Sequence, residues 1–266
     1  MVALTLPWLV AGCVSGPSPG SPRGGTSADA RQSDELGARA LAVPPPLTTP
    51  GLEAGLPSGW EPWIVLPSKP RTSYRIESID GRLALRADAD RSASGLIAQT
   101  SIDPTLRPII EWRWRIDSLV AGADNSARHA EDAPARLILA FDGDKSKLPM
   151  KDRLFFEQAQ FFTGREMPYA TLMYIWANRK PVGTMIRNPS TDRVRMLAVA
   201  SGPADVGRWV QFRRDVVADF QSVFGEAPGR LIGVGIMTDA DNTKQSVTAW
   251  YDNIHLRPTD EVASNP

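Results

Sequence analysis

A chain of 266 residues with 42% apolar and 23% charged side chains is too apolar to be wholly disordered, and long enough for one large all-β domain or two smaller ones. Thirty Lys and Arg balance thirty Asp and Glu, so no global field gathers nucleic acid or an anionic membrane. One cysteine and two histidines exclude a disulfide framework, a Cys-based zinc ribbon and a His-rich metal site.

Met1 to Ala11 is an apolar stretch too short to cross a bilayer as a helix. It runs into Val10-Ala11-Gly12-Cys13, which resembles the bacterial lipobox, although no Lys or Arg precedes Arg23 to form a basic leader. The expectation is a signal over 1–12 and diacylation of Cys13, two chains being enough for firm anchoring. Residues 13–55, with Pro17, Pro19, Pro22 and Pro44-Pro45-Pro46 among Gly and Ser, read as a flexible tether.

From 56 to 258 the composition is that of one folded domain, and 259–266 read as a disordered tail. Turn signals cut the domain into strand-like runs at 74–79, 82–87, 95–100, 109–116, 135–141, 170–177, 194–200, 210–213, 231–238 and 247–256. Asp80-Gly81 is a hairpin turn between the first two. Alternation is clearest where Ile110, Trp112, Trp114 and Ile116 share one face against Glu111, Arg113 and Arg115. In the final run Trp250, Ile254 and Leu256 are placed inward, with Tyr251, Asn253 and His255 outward. Two stretches follow a helical period: 152–162, with Phe155, Ala159 and Phe162 inward and Gly164 as stop, and 215–224, ending at Gly225. The expected architecture is all-β: a jelly-roll-like antiparallel β-sandwich with two short amphipathic helices.

Chemistry-bearing motifs are sparse. The chain has no phosphate-binding loop, no dinucleotide glycine pattern after Gly233-Val234-Gly235 and no nucleophile elbow. His129 and His255 stand alone, which fits solvated histidines better than metal ligands. Asp239-Ala240-Asp241-Asn242-Thr243 opens like a calcium loop, but Lys244 and Trp250 stand where its glycine and bidentate glutamate belong. A looser calcium site drawing on Asp142, Asp144, Asp239 and Asp241 is the only cofactor the residues suggest. An Asx-rich turn accounts for the same segment without an ion.

Several segments in order carry a resemblance: Gly59-Trp60-Glu61-Pro62-Trp63, Trp112-Arg113-Trp114-Arg115, Glu131-Asp132-Ala133-Pro134-Ala135-Arg136, Asp142-Gly143-Asp144, Pro168-Tyr169-Ala170-Thr171-Leu172, Asp192-Arg193-Val194-Arg195, Arg214-Asp215-Val216, Met237-Thr238-Asp239-Ala240-Asp241-Asn242-Thr243 and Trp250-Tyr251-Asp252-Asn253-Ile254. Together they resemble the bacterial family called domain of unknown function 3047 across roughly 56–258. That resemblance implies one uninterrupted domain in an exported setting and supplies no activity. The ending Tyr251 to Leu256 is also similar to the last strand of jelly-roll carbohydrate-binding and lectin-like sandwiches.

Three roles fit the polar residues. Arg113, Arg115, Glu131, Asp132, Arg136, Asp239, Asp241 and Asn242 could brace a sheet as arginine–carboxylate pairs. The same set could grip an envelope glycan or other small ligand, with Tyr251, Trp176 or Trp209 as a flat platform. A polysaccharide-active enzyme would instead pair Glu131 with Asp239 or Asp241 as acid and base, although neighbouring arginines oppose a protonated acid. The expected setting is the periplasmic side of the cell envelope, lipid-anchored at the outer membrane, without nucleic acid as partner.

Overall fold

The computed structural model describes residues 44–48, 55–188 and 190–259. Twelve strands build two sheets: β1 Glu61–Ile64, β2 Ser73–Ile79, β3 Arg82–Asp90, β4 Ala93–Ile102, β5 Ile109–Ile116, β6 Ala133–Phe141, β7 Ala170–Ala177, β8 Met185–Arg187, β9 Val194–Ser201, β10 Val210–Asp215, β11 Leu231–Asp239 and β12 Ser246–Arg257. One sheet has seven strands in the order β1-β4-β11-β6-β7-β9-β8, the other five in the order β10-β5-β12-β3-β2. Helix α1 (Met150–Thr163) leaves the chain between β6 and β7, and α2 (Val216–Phe224) follows β10.

The alternation of β5 drives the packing. Trp112 and Trp114 are fully buried between the sheets, and Trp112 stacks on Tyr174 of the opposite sheet with ring centroids 5.1 Å apart. Leu137, Leu139 and Phe141 of β6 and Val234 and Ile236 of β11 join them in one core. Burying a side chain of this size stabilises by about 1.5–3 kcal/mol, so these positions dominate the apolar contribution.

The β-sandwich with two helices is therefore as expected, with four departures in detail. β7 and β9 pair in parallel, because the chain passes to the sheet edge as β8 before returning as β9. β1 and β8 lay outside the predicted runs; four residues containing a proline and three residues carry too little alternation to register. Tyr251 is in the core and Trp250 on the outer face, the reverse of the expectation. The cause is a register shift between Asp252 and His255, where Asn253 adopts φ 56° and moves Ile254 and Leu256 into the inward phase. Finally, Phe162 of α1 is exposed, whereas Asp152 and Phe156 are its buried residues. Asp152 sets that rotation by accepting from Thr191 Oγ1 (2.6 Å) and Asp192 N (3.0 Å).

Candidate functional site

In the seven-stranded sheet, residues that alternate with the core lie on the sheet's other face. Gly233, Ala140 and Ile97 of adjacent strands meet there: a Cβ on Gly233 would stand 3.2 Å from Ile97 Cδ1 and 3.5 Å from Ala140 Cβ. These small groups floor a cavity of about 510 Å³, together with Ile232. Its rim comes from Gln99 of β4 and from the two connections flanking α1, Asp142 to Lys145 and Glu166 to Pro168. Lys145 Nζ and Glu166 Oε1 meet at 2.6 Å and join those connections.

The rim is shaped by local hydrogen bonding. Asp144 caps a 3₁₀ turn over Lys145–Lys147, and bonds from Ser146 and Lys147 hold its carboxyl below the usual range. Gly143 lies against the Tyr169 ring, where a Cβ would come within 2.4 Å of two ring atoms. The Tyr169 hydroxyl donates to Glu226 (3.1 Å), and Arg193 stacks over the ring at 4.1 Å while bonding Glu226 at 2.6 Å. Only a glycine leaves room for this braced tyrosine beside the cleft.

A second polar group lies at the other end of β6. Arg136 is 3% exposed and grips Asp239 through Nε–Oδ1 (2.7 Å) and Nη2–Oδ2 (2.9 Å), with Glu131 Oε1 3.1 Å from Nη1. Asp132, Asp239 and Asp241 each offer an oxygen within 4.8 Å of the others. Such a trio could ligate a hard cation, but the chain supplies its own: Arg136 clamps Asp239, and Lys69 pairs with Asp241. Asp132 accepts from Asn242 N, Thr243 N and Thr243 Oγ1, so the 239–243 segment is held by a carboxylate from the start of β6 rather than by its own side chains as the expected Asx-rich turn would be.

The two partners of the central pair respond differently. Burial opposes the Arg136 charge, but attraction to Asp239 and Glu131 prevails and raises its pKa. Burial pushes Asp239 up to about 6 against the pull of Arg136, with a smaller upward contribution from the neighbouring Asp132 and Glu131 carboxylates.

A family model described as protein of unknown function (DUF3047) matches residues 58–255. The chain belongs to that family. No curated protein matches the chain. Among solved structures, this DUF3047 chain is similar to a family 29 carbohydrate-binding module complexed with mannohexaose, at 11% identity, TM-score 0.33, covering 81% of this chain and 89% of that one. It is also similar to a family 28 module specific for non-crystalline cellulose (14% identity, TM-score 0.37, 80% and 96% covered). A third is the xyloglucanase domain of NopAA from Sinorhizobium fredii in complex with cellobiose (8% identity, TM-score 0.40, 77% and 97% covered).

The DUF3047 structure divides the predicted polar set between two places. Glu131, Asp132, Arg136, Asp239, Asp241 and Asn242 converge at one end of the seven-stranded sheet. Arg113 and Arg115 lie on the outer face of the five-stranded sheet, paired with Asp252 and Asp80. Trp250 lies there between Arg86 (5.4 Å) and Arg115 (5.5 Å) and donates to Glu77. Trp176 and Tyr251 are buried, so of the three suggested platforms only Trp209, half-buried beside Arg113, reaches the surface.

The calcium grouping is corrected. Asp142 follows the end of β6 distant from Asp239, so Asp142 and Asp144 stand roughly 25 Å from Asp239 and Asp241 and cannot share an ion with them. Cys13 and the whole of 1–43 lie outside the described residues. Gln99, Lys145 and Glu166 escaped the sequence analysis; the one signal near them was Asp142-Gly143-Asp144, a turn too small to name a site.

Proposed function

We propose that the DUF3047 domain is a non-catalytic binding module that takes a hydroxyl-rich ligand of the glycan class in the cleft above Gly233 and Ala140. The cleft itself carries this reading: about 510 Å³ lies within the usual range for small-ligand sites. Its glycine and alanine floor lets a flat ring approach the sheet, while Gln99, Lys145 and the carboxylates of Asp142, Asp144 and Glu166 offer donors and acceptors at the rim. Catalysis by Glu131 with Asp239 is disfavoured, because Arg136 stands between them and Asp239 is buried. The proposal includes an exported, lipid-anchored setting, supported by the Cys13 motif and the Pro/Gly/Ser-rich stretch after it.

The test is retention on an array of envelope glycans, with reducing-end release measured in parallel. Gln99→Ala with Lys145→Ala should weaken binding about tenfold or more, without producing or removing turnover. Undiminished binding by that variant removes the cleft from consideration, and sustained turnover by the wild type removes the non-catalytic reading.

A further inference from the structure

Arg136 and Lys69 leave one part of the Asp132–Asp239–Asp241 trio unanswered. All three carboxylates are buried, and each offers an oxygen within 4.8 Å of the others. Arg136 takes both oxygens of Asp239, and donors of Asn242 and Thr243 take both oxygens of Asp132. Lys69 takes only Oδ2 of Asp241. Asp241 Oδ1 is buried without a hydrogen-bond partner, and among the described residues it is the one carboxylate oxygen in that state. A charged oxygen that has lost its water and gained no donor is costly, the more so beside two further carboxylates.

Charge and donor type together select what completes the group. With Glu131 on the far side of Arg136, four carboxylates share two cations, Arg136 and Lys69. Arg128 and Lys244, nearby in the chain, are exposed and form no ion pair with any of the four. A neutral donor would serve Oδ1 but leave two negative charges buried together, whereas a divalent cation answers both. The trio offers oxygen alone, without imidazole or thiolate, which suits calcium rather than a transition metal. A flexible shell of oxygens at about 2.3–2.6 Å accommodates three carboxylates completed by water. Lys69 stands on the connection between β1 and β2 with its side chain 29% exposed, so its ammonium can withdraw into solvent on its long stem. We infer that Asp132, Asp239 and Asp241 bind one calcium ion, which takes the place of the Lys69 ammonium. The ion satisfies Asp241 Oδ1 and ties the start of β6 to the 239–243 segment. This does not depend on the ligand of the cleft.

The test titrates calcium chloride into the full chain after chelation of metals, followed by isothermal calorimetry and thermal unfolding. The wild type should bind one ion per chain. With a dissociation constant of about 0.5 mM, about 5 mM calcium should raise Tm by about 3–6 °C. Magnesium should bind about tenfold more weakly or worse, because it demands a near-ideal octahedron and gives up its waters reluctantly. Lys69→Met removes the competing cation and keeps every carboxylate, so its calcium affinity should rise about tenfold or more, and calcium should restore the Tm it loses in chelator. Asp241→Asn should weaken binding about tenfold or more. Absence of binding in both the wild type and Lys69→Met at about 10 mM calcium, well above the range of weak calcium modules, overturns the inference. So does calcium binding that Asp241→Asn leaves intact, an equal response to magnesium, or a Tm gain reproduced by sodium chloride at matched ionic strength.

Discussion

Replacing Arg136 by Met tests whether the charged cluster at the end of β6 is as dry as its geometry implies. Methionine retains most of the apolar stem but removes two bonds to Asp239 and two to Glu131. Asp239, 3% exposed, would keep only the Ala133 amide at 3.3 Å, with Asp132 and Glu131 still repelling it. Breaking a buried pair from one side costs about 3–5 kcal/mol, which for a domain of this size lowers Tm by about 6–20 °C. Equilibrium urea unfolding followed by circular dichroism should show that loss with an unchanged m-value. Adding Asp239→Asn to the variant should recover about half of it, since the stranded charge is then gone. A cost below about 1 kcal/mol, or two effects that simply add, would refute the reasoning and mean that water reaches the pair.

Other predictions concern pH, caps and the cleft wall. Because burial raises Asp239 to about 6, the folded state holds its proton more tightly than the unfolded state does. Its contribution is complete below about 4 and lost as pH rises through about 6, so stability in that window should fall by up to about 3 kcal/mol more in the wild type than in Asp239→Asn, as read from paired urea titrations. Asp215→Ala removes the side chain that accepts from Ala218 N at the start of α2 and should cost about 0.5–2 kcal/mol in thermal unfolding. Gly143→Ala should displace Tyr169 from Glu226, changing near-ultraviolet circular dichroism and destabilising by about 1–3 kcal/mol; an unchanged spectrum would mean that the backbone yields instead.

What could be read in advance depended on how local the cause was. β5 was delimited correctly because Ile110, Trp112, Trp114 and Ile116 alternate with charged groups over the whole strand. Gly164 and Gly225 marked the ends of both helices because each adopts positive φ, which favours glycine. The rotation of α1 was not legible, since Leu154-Phe155-Phe156 and Phe161-Phe162 put apolar groups on every side and the deciding contact is Asp152 with Thr191, 39 residues away. Trp250 and Tyr251 exchanged roles because a strict two-residue period cannot foresee the displaced residue at Asn253. The site was partly legible. Arg136 and Asp239 were both singled out, yet their direct contact across 103 residues was not deducible. The cleft depends on Ile97, Ala140 and Gly233 from three strands, and residues so small leave no pattern of their own.

The order of strands has a consequence for how the molecule comes into being. β11 lies between β4 and β6, and β12 lies between β3 and β5, so each sheet awaits a late strand at its middle rather than at its border. A nascent chain that stops short of Leu231 therefore holds two half-sheets with open inner edges, unable to seal around Trp112 and Trp114. Closure must bring together segments more than a hundred residues apart, which makes assembly slow and leaves incomplete chains prone to sticking to one another. The domain is thus built to stay open until nearly its last residue is available.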